Sequence, residues 1–223
     1  MSLDEIRSKS LFTVPSSIAY EFITGFELPW EALSQLEAFI THLGSTLSKE
    51  EYYQPSEDVW VSKQARVAPS AIINAPAIIC PLAEIRHCAF IRGSAIVGKG
   101  AVVGNSTELK GCVLFDKVQV PHYNYVGDSI LGYGAHMGAG SITSNVKSNK
   151  TEVFIDTGCE KISTGRKKLG AILGDYAEIG CNAVLNPGTI VGRGAVVYPL
   201  SSVRGVVPKN HIYKSHNNIV IKN

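Results

Sequence analysis

Apolar residues recur at every sixth position through most of this chain. The first series begins at residue 61 and continues without an exception to residue 109, and a second begins at residue 173 and ends at residue 203. These anchors are Val61, Val67, Ile73, Ile79, Ile85, Ile91, Val97, Val103 and Leu109, followed by Leu173, Ile179, Leu185, Val191, Val197 and Val203. An alanine stands two residues before most of them, at Ala65, Ala71, Ala77, Ala83, Ala89, Ala95, Ala101, Ala171, Ala177, Ala183 and Ala195. This spacing is neither the 3.6-residue period of a helix nor the alternation of a half-buried strand.

A six-residue period indicates a solenoid of short strands joined by tight corners, with three hexads in each coil. Each anchor is expected to point into the core, and each alanine to occupy a corner too tight for a larger side chain. Successive coils would stack at strand spacing, roughly 4.8 Å apart. The pattern therefore predicts a mainly all-β protein, a parallel β-helix over residues 58–205.

The first 57 residues do not follow the six-residue rule and predict a small helical extension. A short helix is expected from Pro15 through Ile23, and a firmer one from Pro29, a residue suited to the first helical position, to Gly44, suited to the position after a helix. We interpret residues 1–57 as a cap that covers the open first coil, because solenoids need capped ends. The alternative is an arm for trimerisation or for a partner.

The ladder is interrupted twice before it ends. Leu109 and Leu131 are twenty-two residues apart, which is not a multiple of six and predicts a loop or bulge with His122 inside it. Residues 146–170 are expected to leave the coil as a β-hairpin, since the anchors resume in register after them. Residues 206–223 form a tail in which the strand 219–221 is expected to turn back against the last coil.

Composition limits the classes of partner. The 223 residues are 45% apolar and 18% charged, and the net charge of +2 is too small to favour nucleic acid. No apolar run has the length of a membrane span, and residues 1–5 do not resemble a signal peptide, so we expect a cytoplasmic protein with no membrane partner. The five cysteines show no C-x-x-C spacing, and we interpret them as small space-filling thiols.

Residues able to do chemistry gather in and around the interruptions. Arg92 and Lys110 are eighteen residues apart, which is one coil, so their side chains are expected to stack and to form an anion site. The alternative is a pair of charges on a solvated face. His122, a residue type that can accept a proton in catalysis, follows within the first interruption.

The ladder, with glycine following many anchors, resembles the hexapeptide-repeat acyltransferases, and this resemblance implies a left-handed β-helix. From Ile91 to Asn145 the chain is similar to the acetyltransferase domain of the bifunctional N-acetylglucosamine-1-phosphate uridyltransferases/glucosamine-1-phosphate acetyltransferases. The matching pieces are VGNSTELK (103–110), HYNYVGD (122–128) and MGAGSITSN (137–145). The segment ISTGRKKLGAILGD (162–175) looks more like archaeal sugar-1-phosphate nucleotidylyltransferases with a similar β-helical tail. No glycine-rich nucleotide loop precedes the ladder, so uridylyl transfer is not expected.

The resemblance implies an acetyl-CoA-dependent N-acetyltransferase that acts on an amino-sugar 1-phosphate without a metal, assembled as a homotrimer with sites between subunits. His122 matches the general base that deprotonates the sugar amine. Tyr125 would position the acceptor, and Asn145 would hydrogen-bond the sugar. The sugar phosphate would be held by Arg92, Lys110 and Lys150.

The same resemblance implies where acetyl-CoA would bind. The backbone amide of Ala139 would meet the thioester and stabilise the oxyanion. The rest of acetyl-CoA would lie along the later coils, near Cys181 and Pro199. The basic triplet Arg166, Lys167 and Lys168 would serve its phosphates, or would be only the solvated end of the hairpin. The chain departs from the family at His136, where the family has an asparagine, which affects transfer rate and acceptor choice.

Two other functions are alternatives to the N-acetyltransferase that the resemblance implies. Some hexapeptide β-helices hold zinc, but only His211 and His216 approach the required spacing here, and they lie outside the ladder. A non-catalytic β-helix that binds sugar phosphates, or supports a separate nucleotidylyltransferase, would fit the missing nucleotidyltransferase half and the change at His136. The presence of His122, Tyr125 and the cations favours the enzyme.

Overall fold

The structure is a computed structural model that describes residues 3–222. The predicted N-terminal segment and tail extend beyond this range, to Met1 and Ser2 at one end and to Asn223 at the other, and these three residues lie outside the described residues. The helical part contains 3-10 turns at Leu3–Ile6 and Pro29–Ser34 and the helices α1 (Ser8–Leu11), α2 (Tyr20–Thr24) and α3 (Leu36–Thr46). The strands of the described chain are β1 (Tyr52–Ser56), β2 (Val59–Ser62), β3 (Arg66–Val67), β4 (Ile72–Ile73), β5 (Ala77–Ile79), β6 (Glu84–Ile85), β7 (Phe90–Ile91), β8 (Ala95–Val97), β9 (Val102–Asn105), β10 (Glu108–Lys110), β11 (Cys112–Leu114), β12 (Gln119–His122), β13 (Tyr125–Gly127), β14 (Ile130–Leu131), β15 (His136–Met137), β16 (Ile142–Thr143), β17 (Phe154–Asp156), β18 (Lys161–Ser163), β19 (Ala171–Leu173), β20 (Glu178–Ile179), β21 (Val184–Leu185), β22 (Thr189–Val191), β23 (Val196–Val197), β24 (Ser202–Val203), β25 (Val206–Val207), β26 (His211–Ser215) and β27 (Asn218–Ile221).

Three sheets form the sides of one parallel β-helix, and each coil contributes a strand to each sheet. Sheet A has the order β1-β2-β5-β8-β11-β14-β19-β22-β25, sheet B β3-β6-β9-β12-β15-β20-β23-β26-β27, and sheet C β4-β7-β10-β13-β16-β21-β24. Strands of successive coils pair in parallel, and the pairs β1·β2 and β26·β27 at the two ends of the coil are antiparallel. The predicted fold class, a β-helix of hexapeptide repeats with a helical extension, is confirmed.

The anchors form the core of the coil. From Ile79 to Val203 every predicted anchor is at most 2% exposed, and the alanines at the corners are buried from Ala77 onward. Val61 pairs with Ile79, eighteen residues away, as three hexads per coil require. In the first coil Val67 and Ile73 are only partly buried, because fewer neighbours cover them.

The register change between Leu109 and Leu131 arises from two short corners. Pairs are eighteen residues apart at Ile91 and Leu109, but seventeen apart at Val97 and Leu114, because Gly111 alone replaces the two corner residues of the coil before. Asp128 makes the next corner equally short, and both residues have left-handed backbone angles. The predicted loop or bulge around His122 was therefore wrong: His122 ends strand β12, inside the regular coil.

The N-terminal helices pack along the side of the coil. Helix α3 contacts β5 and β8, and the ring of Phe12 lies 5.0 Å from that of Phe115. They help to cover the outer face of sheet A, where the outward-pointing residues between the first and last coils are at most 1% exposed: Ile78, Ile96, Val113, Ile130, Ile172 and Ile190. The helices therefore lie against sheet A beside the coil, and their interpretation as a cap over the open first coil stays a prediction.

The boundaries of the helical extension follow local packing. Pro29 opens a 3-10 turn as its fixed φ predicts. Gly44, however, does not end the helix: it lies inside α3, which continues to Thr46. A Cβ atom on Gly44 would lie 2.2 Å from the Trp60 ring, so this glycine is required for close packing against the first coil.

The predicted excursion is an antiparallel hairpin, in which β17 pairs with β18. Its residues Val153 and Ile155 are buried, and they lie beside Gly188 ahead of strand β22. The tail also turns back as expected, since β27 pairs with β26 at the end of sheet B.

Candidate active site

The edge between sheets B and C carries a column of predicted site residues. The corner residues His122, Ala139, Cys181 and Pro199 occupy the same position in successive coils. The Gly140 N–H donates to the His122 carbonyl at 3.0 Å, the Asn182 N–H to Ala139 at 2.8 Å, and the Leu200 N–H to Cys181 at 3.0 Å. The structure thus brings the predicted base and three predicted acetyl-CoA contacts into one line along the coil.

Within this column, His122 and Ala139 are adjacent. The His122 side chain is exposed to solvent at the end of β12. The N–H groups of Gly138 and Gly140 donate to the carbonyls of Ile179 and His122, whereas in the described chain the Ala139 N–H donates to no backbone carbonyl. This amide is therefore available to a ligand next to an imidazole one coil away.

The edge between sheets C and A holds Arg92 and Lys110 on successive coils, as predicted. Each cation has a carboxylate partner: Arg92 Nη1 lies 2.7 Å from Glu108 Oε1, and Lys110 Nζ lies 3.5 Å from Asp128 Oδ2. The expected anion site is thus charge-balanced rather than simply positive. An arriving phosphate would compete with Glu108 and Asp128 for these two cations.

Tyr125 connects this edge to the outer face of sheet C. The Asn145 Nδ2 group donates to Tyr125 Oη at 3.3 Å and to Asp128 Oδ2 at 2.5 Å. Burial, together with the carboxylates of Asp128 and Glu108, raises the pKa of Tyr125. Its hydroxyl is therefore protonated at neutral pH and can donate a hydrogen bond to an acceptor substrate.

His136 occupies a different surface. It lies on strand β15, on sheet B, and its Nδ1 atom is 2.9 Å from Glu178 Oε2 on the next coil. His136 is larger than the asparagine that the family resemblance leads us to expect here. Glu178 holds its imidazole through one ring nitrogen.

Three further predicted site residues, Arg166, Lys168 and Lys150, lie on the excursion between strands β16 and β19. Arg166 and Lys168 were assigned to acetyl-CoA, but the strand that follows them returns to the edge between sheets C and A, where the Leu169 N–H donates to Asn145 O at 3.0 Å. Burial lowers the pKa of Arg166, and Asp128 opposes that change. Lys150 follows residues 147–149, which line a cleft with Asn186 and Arg204, whereas Arg92 and Lys110 line a different cleft.

Sequence reasoning missed the acidic and amide partners of these residues. Glu108, Asp128 and Glu178 each pair with a predicted site residue, and Asn124 lies buried behind His122. Asp128 could have been found from its position, since it ends the motif HYNYVGD and stands one short coil after Gly111.

Among residues 3–222, no cluster of three or more His, Cys, Asp and Glu side chains is arranged to hold a metal ion. No helix in that same range is long and apolar enough to cross a membrane.

Comparison with known proteins identifies the repeat region. The family model described as the GMPPB C-terminal domain matches residues 73–191, more than half of the chain. A bifunctional sugar-1-phosphate nucleotidylyltransferase/acetyltransferase from Sulfurisphaera tokodaii is 34% identical over 111 residues, covering 50% of this chain and 28% of its own length. The bifunctional protein GlmU of Methanococcus maripaludis is 29% identical over 197 residues, covering 87% of this chain and 48% of its own.

The chain thus spans about half or less of the length of these curated relatives. Among solved structures, the acetyltransferase domain of PglB from Neisseria gonorrhoeae, in complex with acetyl coenzyme A, covers 71% of this chain and 55% of its own, with 19% identity and a TM-score of 0.35.

Proposed function

Because the chain belongs to the family of the GMPPB C-terminal domain, we propose that it is an acetyl-CoA-dependent N-acetyltransferase whose acceptor is an amino-sugar 1-phosphate. The observation that carries the proposal is the adjacency of His122 and Ala139, joined by the 3.0 Å hydrogen bond from Gly140 N–H to His122 O. A base and an unpaired amide on neighbouring corners are the two groups that amide formation from a thioester requires.

The acceptor would lie across the outer face of sheet C. Its phosphate would reach Arg92 and Lys110 at the edge between sheets C and A, with Arg166 adding positive charge nearby. Its sugar would contact Tyr125 and Asn145, and its amine would point toward His122 at the opposite edge. The acceptor would thereby separate each cation from its carboxylate partner.

Acetyl transfer would then proceed in one active site. His122 removes a proton from the acceptor amine, the amine nitrogen bonds to the thioester carbon, and the Ala139 amide stabilises the oxyanion. The carbon–sulfur bond breaks when the intermediate collapses, and the proton passes to the departing sulfur to give free coenzyme A. Cys181 and Pro199 continue the same column and would contact acetyl-CoA, while Arg166 and Lys168 are reassigned to the acceptor side.

A homotrimer remains part of the proposal. The outer faces of sheets B and C are left partly exposed by the helices and hairpin, as Ile72 at 58% exposure on sheet C illustrates. A neighbouring subunit packed against sheet C would cover the acceptor, in keeping with the sites between subunits that the sequence resemblance implies.

The test is the release of free thiol from acetyl-CoA, with glucosamine 1-phosphate and galactosamine 1-phosphate each offered as acceptor. We expect saturable turnover that falls by roughly 10²-fold or more in His122→Ala, the usual contribution of a general base. His87→Ala is the matched control, because His87 is an exposed histidine at the same edge, hydrogen-bonded to Ser70 at 3.0 Å. Turnover that survives in His122→Ala would remove His122 from the mechanism, and failure to bind acetyl-CoA would favour the non-catalytic β-helix.

A further inference from the structure

Behind the column of corner residues lies a buried amide side chain, Asn124, that contacts two corners at once. Asn124 is 2% exposed. Its Oδ1 atom accepts a hydrogen bond from the His122 N–H at 3.1 Å. Its Nδ2 group donates to the Gly138 carbonyl at 2.8 Å and to the Ser141 carbonyl at 3.1 Å.

These contacts use both halves of the amide for different coils. The acceptor half fixes the backbone of the His122 corner, and the donor half fixes the turn that contains Ala139. Gly138 and Ser141 bracket this turn, and the Ser141 hydroxyl also donates to the Gly138 carbonyl at 2.7 Å. An amide can do this because it carries a donor and an acceptor on one rigid plane, which a carboxylate or a hydroxyl cannot match.

We propose that Asn124 is a positioning residue that sets the distance and orientation between the His122 corner and the Ala139 corner. The inference rests on the proposed function, since its consequence for catalysis requires His122 and Ala139 to act on the same reacting carbon. Because its side chain is buried behind the two corners, Asn124 would touch neither substrate. It acts by holding two backbone segments whose misplacement by about 1 Å would lower the rate on the order of 10²-fold.

A second buried asparagine provides the matched control. Asn186 is 9% exposed, and its Nδ2 group donates to the Val203 carbonyl at 2.8 Å and to Ser202 Oγ at 3.0 Å. It thus makes similar contacts to the next coil, but from the edge between sheets C and A. Loss of either amide should lower stability, whereas only loss of Asn124 should disturb the column of corner residues.

The first measurement is amide hydrogen exchange, which does not depend on activity. In Asn124→Ala we expect faster exchange in peptides that cover residues 121–124 and 138–142, and no such change there in Asn186→Ala. In Asn124→Asp the acceptor for the His122 N–H is kept while the donor is lost, so exchange should rise mainly over 138–142. Unchanged exchange at both corners in Asn124→Ala would overturn the inference.

The second measurement is thiol release, performed where each variant is fully folded. Asn124→Ala should lower kcat by about 10- to 100-fold while the Kd of acetyl-CoA changes by less than about threefold. In a His122→Ala background the same change should cost little more, because the base is already absent. A wild-type kcat in Asn124→Ala, or an equal loss in Asn186→Ala, would reject the positioning role. An inactive wild-type protein would instead reject the proposed function, and the exchange result would still decide whether Asn124 links the corners.

Discussion

At the scale of single residues, the cysteines divide into two chemical classes. Cys80 and Cys112 are buried, and burial raises the pKa of each thiol to about 12. Cys88, Cys159 and Cys181 are exposed. Only a thiolate reacts as a nucleophile, so the two buried thiols are inert while the protein is folded. Cys181 alone among the exposed cysteines directly follows Ala139 in the column of corner residues.

Alkylation therefore tests the proposed position of acetyl-CoA. With iodoacetamide at pH 8, we expect Cys88 and Cys181 to be modified in the folded protein, and Cys80 and Cys112 only after unfolding. Acetyl-CoA should slow modification of Cys181 severalfold and leave Cys88, at the same edge in an early coil, unchanged. Peptide mass spectrometry measures both rates. Equal protection of the two cysteines, or none, would contradict the placement of acetyl-CoA along the later coils.

Asp116 gives the protein a pH dependence of known sign. Burial raises the pKa of this carboxyl, although it accepts a hydrogen bond from the Lys99 N–H at 2.9 Å. At pH values above the ordinary pKa of an aspartate, Asp116 holds its proton more tightly in the folded state than in the unfolded state. The contribution of Asp116 to stability therefore falls as pH rises through the interval between the ordinary and the raised values.

Asp116→Asn should remove this dependence, because an amide oxygen can still accept from Lys99 and carries no charge. We expect the variant to gain stability relative to the wild type as pH increases from about 4 to 7. Urea unfolding at a series of pH values measures the difference. A difference that does not change with pH, or that changes in the opposite sense, would show that the pKa of Asp116 is not raised by folding.

At the scale of elements, helix α3 depends on a glycine in its interior. Helix propensity alone predicts that Gly44→Ala would stabilise the protein by about 1 kcal/mol. The contact with Trp60 predicts the reverse, a loss of about 1–3 kcal/mol in the free energy of unfolding, since the new methyl group would overlap the ring. Urea denaturation decides the sign, with Ser45→Ala, at the exposed next position, as the control. A stabilised Gly44→Ala would mean that α3 is not held against the first coil.

The strand ladder could be predicted from sequence because each anchor is buried for the same reason in every coil. Ile79, Val97 and Leu173 face one core, and the six-residue spacing records this directly. The short corners at Gly111 and Asp128 could not be predicted, because the loss of one residue from each of two corners gives the same anchor spacing as one larger irregularity. Helices were predicted from Pro15 and from Pro29, but α1 was not, and the packing of the helices against sheet A depends on long-range contacts that periodicity does not contain.

The features of the candidate site also divide into those that could be predicted from the sequence and those that could not. The grouping of His122, Ala139 and Cys181 came from the family resemblance and not from the six-residue count, because a short corner separates His122 from Ala139 and the hairpin separates Ala139 from Cys181. The ion pairs of Arg92 with Glu108 and of Lys110 with Asp128 could not be predicted, since outward-facing side chains leave no periodic signal. The path of the hairpin was equally hidden, and with it the position of Arg166. In the candidate site, therefore, both the side-chain partners and the course of the hairpin backbone could not be predicted.

At the scale of the whole molecule, one carboxylate joins the N-terminal segment to the coil. Asp175 is fully buried, and its Oδ2 atom accepts hydrogen bonds from the N–H groups of Thr13 at 2.7 Å and Val14 at 3.2 Å. Its Oδ1 atom accepts from the Tyr133 N–H at 2.9 Å. The same side chain thus connects residues far apart in sequence and holds the segment beside sheet A.

Asp175→Ala should release this segment. We expect the free energy of unfolding to fall by about 2–4 kcal/mol, because buried N–H groups lose a charged acceptor. Limited proteolysis should then cut within residues 3–35 before the coil is attacked. Glu57→Ala, at an exposed site, is the control and should behave like the wild type. An unchanged proteolysis pattern in Asp175→Ala would show that other contacts hold the segment.

The antiparallel strands β1 and β27 bear on how the molecule avoids self-association. A stack of parallel coils presents open strand edges at both ends, and a second molecule could continue the stack if every side accepted a further parallel strand in register. At one end β1 runs against the direction of sheet A, and at the other β27 runs against that of sheet B. End-to-end growth into fibres is therefore blocked at one of the three sheets at each end of the coil, at sheet A on one end and at sheet B on the other.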